Sequence, residues 1–283
     1  MPHGVIADIS QQPAALRAGA DHLEPTVVGG LVVEASPGVW RAAEVAPVEP
    51  IGSCAVLVPS TLRVSDPSVP LAAVRAYLTT ALDAVAAIAR PGAKVVLGSG
   101  AARTIGPDVL REEGEARFAE VLRLASELAE QRDLEIILEP LRREETDLIH
   151  TIAEAARFLD AHGLEHMRVV ADLFHVQHEG ESLSTVEAHA SRVGHIHVAD
   201  SGRTPPGRGD WPIAAFLEAL RRGGCTADVT IECSWDDLSE ELPAALAVVR
   251  AADPLSPASP AEGSPRESRP SRRTPAWGPS AAG

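Results

Sequence analysis

The chain has 283 residues and a formal net charge of −15, an acidic balance that repels phosphate backbones and offers anionic lipid no basic patch, so nucleic-acid and membrane-surface binding are excluded. Three cysteines, Cys54, Cys225 and Cys233, show neither a CxxC spacing nor an even disulfide framework and suit a reducing compartment. The N-terminal MPHGVIADIS lacks the charged and apolar regions of a signal peptide, and no stretch reaches the roughly 18 apolar residues of a membrane span, so the cytoplasm is the expected address.

Taken in chain order, short β-rich runs alternate with longer Ala/Leu/Arg/Glu stretches at helical period. Strands are expected at residues 5–9 and 22–27, followed by a Pro- and Gly-rich stretch, 29–52, with no definable helix. A strand at 54–58 leads to a helix over 70–89, and a strand at 94–97 to a helix over 112–131. The pattern continues with a strand at 134–138 and a helix over 151–162, then a strand at 168–171 and a helix over 183–192. Strands at 195–198 and 229–231 are followed by helices over 213–222 and 237–251. Several strands read as unbroken apolar runs (EIIL, RVVA, VTI), as parallel strands covered on both faces do.

Residues 252–283 differ: they hold seven of the 23 prolines and almost no aliphatic side chains, so they are expected to be a disordered tail. Residues 1–251 then form one domain, near the roughly 250 residues of a single (β/α)₈ TIM barrel. A doubly wound open sheet is the alternative, but ADISQQPAA after the first strand is no phosphate loop.

Four metal-competent side chains end four successive strands: Glu139 after LEIIL, Asp172 after RVVA, His197 in GHIHVAD and Glu232 after DVTI. Their spacings of 33, 25 and 35 residues are each about one βα unit, which in a barrel brings all four to the C-terminal mouth. A single carboxylate at a strand end is commonly a helix cap; four in register are not explained by capping. Three carboxylates and one imidazole make a hard, mostly oxygen site suited to Mn²⁺ or Mg²⁺, with Co²⁺ as a substitute. His195 is expected to face the helix layer, opposite His197, and Glu24, a further carboxylate ending a strand, is a candidate to reach the pocket. The turn GSGAAR (98–103) is either a tight turn or a backbone approach to a phosphate.

These motifs resemble the xylose-isomerase-like superfamily of sugar isomerases and epimerases, in particular its ketose 3-epimerase branch. The resemblance implies Glu139, Asp172, His197 and Glu232 as metal ligands, with Glu139 and Glu232 also the acid–base pair. It adds Glu145 in LEPLRREET, His175 in DLFH and Arg203 in HVADSGR as substrate-binding residues. The departure is Arg142, where relatives often carry Asn. The implied partner is a small sugar or sugar phosphate, and a homo-oligomer is compatible with the chain.

The chemistry expected of this set is proton abstraction beside a carbonyl through an enediolate, one glutamate removing a proton and the other returning it. An inosose-type dehydratase and an aldose–ketose isomerase use the same groups and remain alternatives. So does a sugar-binding barrel without turnover, against which stands the retention of both glutamates. A hydride-shift isomerase would need a lysine in the pocket, and the single Lys94 begins its strand at the far end.

Overall fold

A computed structural model describes residues 1–256. Eight strands form one parallel sheet: β1 (His3–Ile6), β2 (His22–Glu24), β5 (Ile51–Cys54), β6 (Ala89–Leu97), β7 (Leu134–Leu138), β8 (Arg168–Asp172), β9 (Val193–Val198) and β10 (Val229–Ile231). Their order is β2-β1-β10-β9-β8-β7-β6-β5. The two end strands meet just past their ends, where Ala55 N donates to Pro25 O at 2.9 Å and Val27 N donates to Ala55 O at 2.7 Å. The sheet therefore closes into the expected (β/α)₈ barrel.

The helices lie between the strands: α1 (Gln12–Arg17), α2 (Leu71–Ala86), α3 (Gly100–Arg103), α4 (Arg111–Glu130), α5 (Ile152–Ala161), α6 (Leu173–Glu179), α7 (Leu183–His189), α8 (Ile213–Arg222) and α9 (Leu238–Ala252). Side-chain caps fix several starts where the sequence turns from strand to helix. Thr151 accepts from Glu154 N at α5, Asp172 from Phe174 N at α6, and Asp237 from Ser239 N and Glu240 N at α9. Among the described residues no helix is long and apolar enough to cross a membrane.

The stretch 29–52, which carries no helical pattern, is a two-stranded antiparallel hairpin of β3 (Val32–Ser36) and β4 (Val39–Ala42). Gly38 at its turn has φ +74°, a left-handed conformation glycine adopts freely. The second βα unit thus crosses by a hairpin, with Trp40 packed edge-on against Tyr77 of α2 at 5.3 Å.

Alternation along each strand decides what fills the barrel. Ile6, Ala55, Val96, Ile137 and Val170 meet in one apolar cluster separate from the main core. The other side of the interior is polar, with Glu24, Ser53, His195 and Thr230 buried to 2% exposure or less. Each expected ligand lies two residues past an interior residue: Glu139 past Ile137, Asp172 past Val170, His197 past His195, Glu232 past Thr230. The same parity corrects the expectation for His195. Residues two apart share a face, so His195 lies inside the barrel with His197, their rings 4.9 Å apart.

The expected boundary at Ala252 also moves. Asp253 is buried and pairs with Arg221 and His3, so the fold continues to it. Residues 257–283, on which the rest of the expected tail falls, lie outside the described residues.

Candidate active site

Glu139, Asp172, His197 and Glu232 each offer a donor atom, and these atoms lie within 4.8 Å of one another, forming a cluster able to hold a metal ion. His197 Nδ1 faces Glu232 Oε2 at 3.1 Å and Glu139 Oε1 at 3.4 Å. Glu139, Asp172 and His197 are buried, and Glu232 opens further to solvent with a side chain 25% exposed. All four sit at the C-terminal ends of adjacent strands, as their spacing requires.

Crowding of like charges in a buried place sets the electrostatics. Burial, reinforced by the nearby Glu232 charge, pushes Asp172 up to about 8. Burial likewise raises Glu139, against its bond to His197. Glu232 goes the other way: burial opposes its charge, but the His197 bond and the Arg203 guanidinium hold it down. For His197 burial is outweighed by the Glu24 charge and by bonds to Glu139, Glu232 and Glu24, which hold the imidazole well above its ordinary range. Three crowded carboxylates around one imidazole nitrogen fit a divalent cation, whose charge would relieve the repulsion that otherwise favours protonation.

Arg203 closes the cluster on its outer side. Its Nη2 lies 3.1 Å from both Asp172 Oδ2 and Glu232 Oε1, and its guanidinium stacks on the Phe174 ring at 4.2 Å. Arg142 stacks on the same ring at 4.7 Å, so Phe174 supports two cations. Arg203 has φ +57°, unusual for a residue with a Cβ, and its buried Nε has no hydrogen-bond partner among the described residues.

His175 stands one helical turn past Asp172, with Nε2 3.4 Å from Asp172 Oδ2. Its Nδ1 accepts from Arg142 N at 3.1 Å, so Nε2 carries the proton. Burial and the Arg203 charge lower its pKa to about 3, so it is a neutral donor. Glu145 pairs with Arg142 Nε at 2.9 Å. That pairing explains the tolerance of an arginine at residue 142: its charge is taken up beside the site. Arg208 instead pairs with Glu241 of α9 at 2.6 Å, and Lys94 lies 3.8 Å from Asp228, before the start of β10 and away from the mouth.

Two supports hold the cluster from outside, one of them, Arg103, without a clear signal in the sequence. Arg103, fully buried, donates to Glu139 O at 2.7 Å and to Ile149 O at 3.2 Å, holding the backbone that carries Glu139 from behind. The GSGAAR turn therefore braces the site. Glu24 is the second; its position beneath His197 follows from alternation on β2. Gly98 is a third constraint, since a Cβ there would overlap Glu139 Oε2. Gly98→Ala is expected to displace that carboxylate while the fold adapts, because the crowded atom is the end of a flexible side chain. Affinity for any divalent cation the cluster takes should fall about tenfold or more, with little change in melting temperature, as calorimetry of both would show.

Residues 53–252 match the family model described as Xylose isomerase-like TIM barrel, and the chain belongs to that family. Among named relatives, 3-dehydro-D-guloside 4-epimerase of Escherichia coli K12 is 33% identical over 102 residues, 35% of this chain and 38% of that protein. D-psicose 3-epimerase of Enterocloster bolteae is 34% identical over 107 residues, 38% of this chain and 36% of that protein. The aligned part thus spans less than two fifths of the length of either relative. In overall fold the chain is similar to D-allulose 3-epimerase from Methylomonas sp., with a TM-score of 0.72 at 19% identity over 89% of this chain and 97% of that one. The 3-keto-D-glucoside 4-epimerase of E. coli gives 0.69 at 19% identity over 89% and 99%.

Proposed function

We propose that this chain is a metal-dependent isomerase of a small sugar or sugar phosphate, epimerising the carbon beside a carbonyl. The observation that carries it is the convergence of Glu139, Asp172, His197 and Glu232, with two of the carboxylates on strands three places apart around the barrel. The names of two relatives support the same chemistry from different substrates. A 4-epimerase of a 3-dehydro sugar and a 3-epimerase of a 2-ketose both invert a carbon adjacent to a ketone.

Glu139, Asp172, His197 and Glu232 would hold the cation, with Mn²⁺ or Mg²⁺ preferred for an oxygen-rich set and Co²⁺ as substitute. The cation supplies Lewis acidity toward the substrate's oxygens. Glu139 and Glu232 approach from opposite sides: one takes the proton from carbon, leaving an enediolate, and the other returns a proton to the opposite face. The buried Arg203 Nε and the His175 Nε2–H are donors for substrate oxygens, and burial strengthens both. Glu145 and Arg142 form the adjoining polar wall.

The deciding experiment is incubation of the Mn²⁺-loaded protein with a panel of ketoses and keto-glycosides in D₂O. Deuterium incorporation beside the carbonyl, with an epimeric product, is expected for at least one substrate. Loss of water instead would mark a dehydratase, and binding without exchange would mark a barrel that does not turn over.

Arg203→Ala separates substrate handling from metal binding. Losing a charge-assisted bond to substrate should cost about 1.5–3 kcal/mol in substrate affinity. Metal affinity should hold or rise, because the guanidinium contacts two carboxylates that the cation would use. Calorimetric titrations with Mn²⁺ and with the substrate check the two arms; a fall in metal affinity would contradict this division of labour.

A further inference from the structure

We infer that Glu24, outside the four-ligand set, is a positioning residue that fixes the His197 ring with Nε2–H toward the barrel interior and Nδ1 toward the cation, a role that rests on the metal site proposed above. Glu24 ends β2 and is fully buried. Its Oε1 lies 3.1 Å from His197 Nε2, and its Oε2 lies 2.6 Å from His195 Nε2 and accepts from Ser53 Oγ at 2.8 Å. An ionised carboxylate only accepts, so both imidazoles must present N–H to it. With Nε2–H given to Glu24, His197 turns its Nδ1 to Glu139's and Glu232's side of the site, where a bound cation would take the place of the Nδ1 proton.

The surroundings agree with this tautomer. His195 Nδ1 is buried and has no partner among the described residues, which is tolerable for a bare lone pair and costly for an orphaned N–H. Below, Thr230 Oγ1 lies 3.3 Å from His195 Nε2 and 2.9 Å from His22 Nε2, while Gly4 leaves the space that the His22 ring fills. Glu24 is thereby pinned from two strands, by Ser53 of β5 and by His195 and His197 of β9. If this residue served packing alone, the apolar filling of the opposite half, Ile6, Val96, Ile137 and Val170, would suffice. The polar half lies beneath the histidine ligand, where a carboxylate orients a ring and raises its basicity.

Glu24→Gln makes the test, because an amide offers one acceptor and one NH₂ to two imidazole N–H groups. Mn²⁺ titration calorimetry should show affinity about 10–100-fold weaker than in the unaltered chain. Adding His195→Leu removes the competing donor, so the amide oxygen can turn to His197 and affinity should recover in the double variant. Thermal unfolding without metal reports any loss of fold separately. Should either variant fail to fold, ¹⁵N-histidine NMR of the unaltered protein with Mg²⁺ decides, with His197 expected to be protonated at Nε2.

Unchanged affinity in Glu24→Gln would overturn the assignment, and so would a double variant no better than the single. Protonation of His197 at Nδ1 would do the same. Because Glu24, His195 and His197 also bring donor atoms within 4.8 Å, two ions bound per chain would mean that Glu24 is itself a ligand. No Mn²⁺ binding by the unaltered chain would instead bring down the four-ligand site on which the role depends.

Discussion

Glu139→Gln and Glu232→Gln are each expected to lower deuterium exchange into substrate by about 10²- to 10⁴-fold at saturating Mn²⁺, the usual contribution of a positioned acid or base. Glutamine keeps the length and one coordinating oxygen of glutamate but cannot accept and return a proton near neutral pH. Metal binding should therefore weaken in both variants yet remain measurable. Asp172→Asn is the contrasting arm. Asp172 accepts from Phe174 N, pairs with Arg203 and lies 3.4 Å from His175, so it is occupied in holding the site together. At saturating metal its variant should keep much more exchange than either glutamate variant. Full exchange in both glutamate variants would place the proton carriers elsewhere, while leaving the cation site standing. Exchange lost on only one face of the substrate carbon would assign that face to the altered glutamate.

The four-residue cluster was legible because chemistry and topology act at the same interval. A βα unit of about 30 residues repeats along the chain, and acids and a histidine recur at strand ends with that repeat. His175 and Arg203 were legible through local motif offsets, and the structure brings both against Asp172. Arg103 was not, and Glu24 was legible only as a strand-end acid, without its partners. Each acts across the barrel on a partner far away in sequence, and a lone acid or arginine carries no sign of which distant backbone or ring it meets. His195 was misplaced for a simpler reason: strand alternation has period two, so it must share the face of His197. The hairpin at 32–42 was hidden because its short strands are mostly exposed and lack the apolar run that marks a buried strand. The tail boundary failed for a related reason. Composition over a long window averages away one buried carboxylate.

That carboxylate yields the largest expected effect on stability. Asp253 receives a two-pronged bond from Arg221, Nε to Oδ1 at 2.9 Å and Nη2 to Oδ2 at 2.7 Å, and His3 Nε2 lies 3.1 Å from Oδ2. The Arg221 and Asp253 side chains are 4% and 0% exposed, so removing one partner leaves a buried charge uncompensated. Asp253→Ala is expected to cost about 3–5 kcal/mol, the usual penalty for breaking a buried pair. Urea unfolding at neutral pH checks it. Burial opposes the Asp253 charge, but the bonds from His3 and Arg221 prevail and hold its pKa well below the ordinary carboxylate range. A carboxylate depressed in the folded state adds stability that is complete above its unfolded pKa of about 3.9 and is lost as pH falls below that. Between about pH 4 and pH 2 the stability of Asp253→Asn should therefore fall less steeply than that of the unaltered chain. Two truncations make the same point without a substitution. Ending the chain after Ser256 keeps Asp253 and its partners, and the melting temperature should stay where it is. Ending it after Ala252 removes the carboxylate, strands Arg221 beside the Cys225 and Ala227 carbonyls it also bonds, and should lower the melting temperature by several degrees. Equal melting temperatures for the two truncated chains would show that the contact does not hold the barrel's end closed.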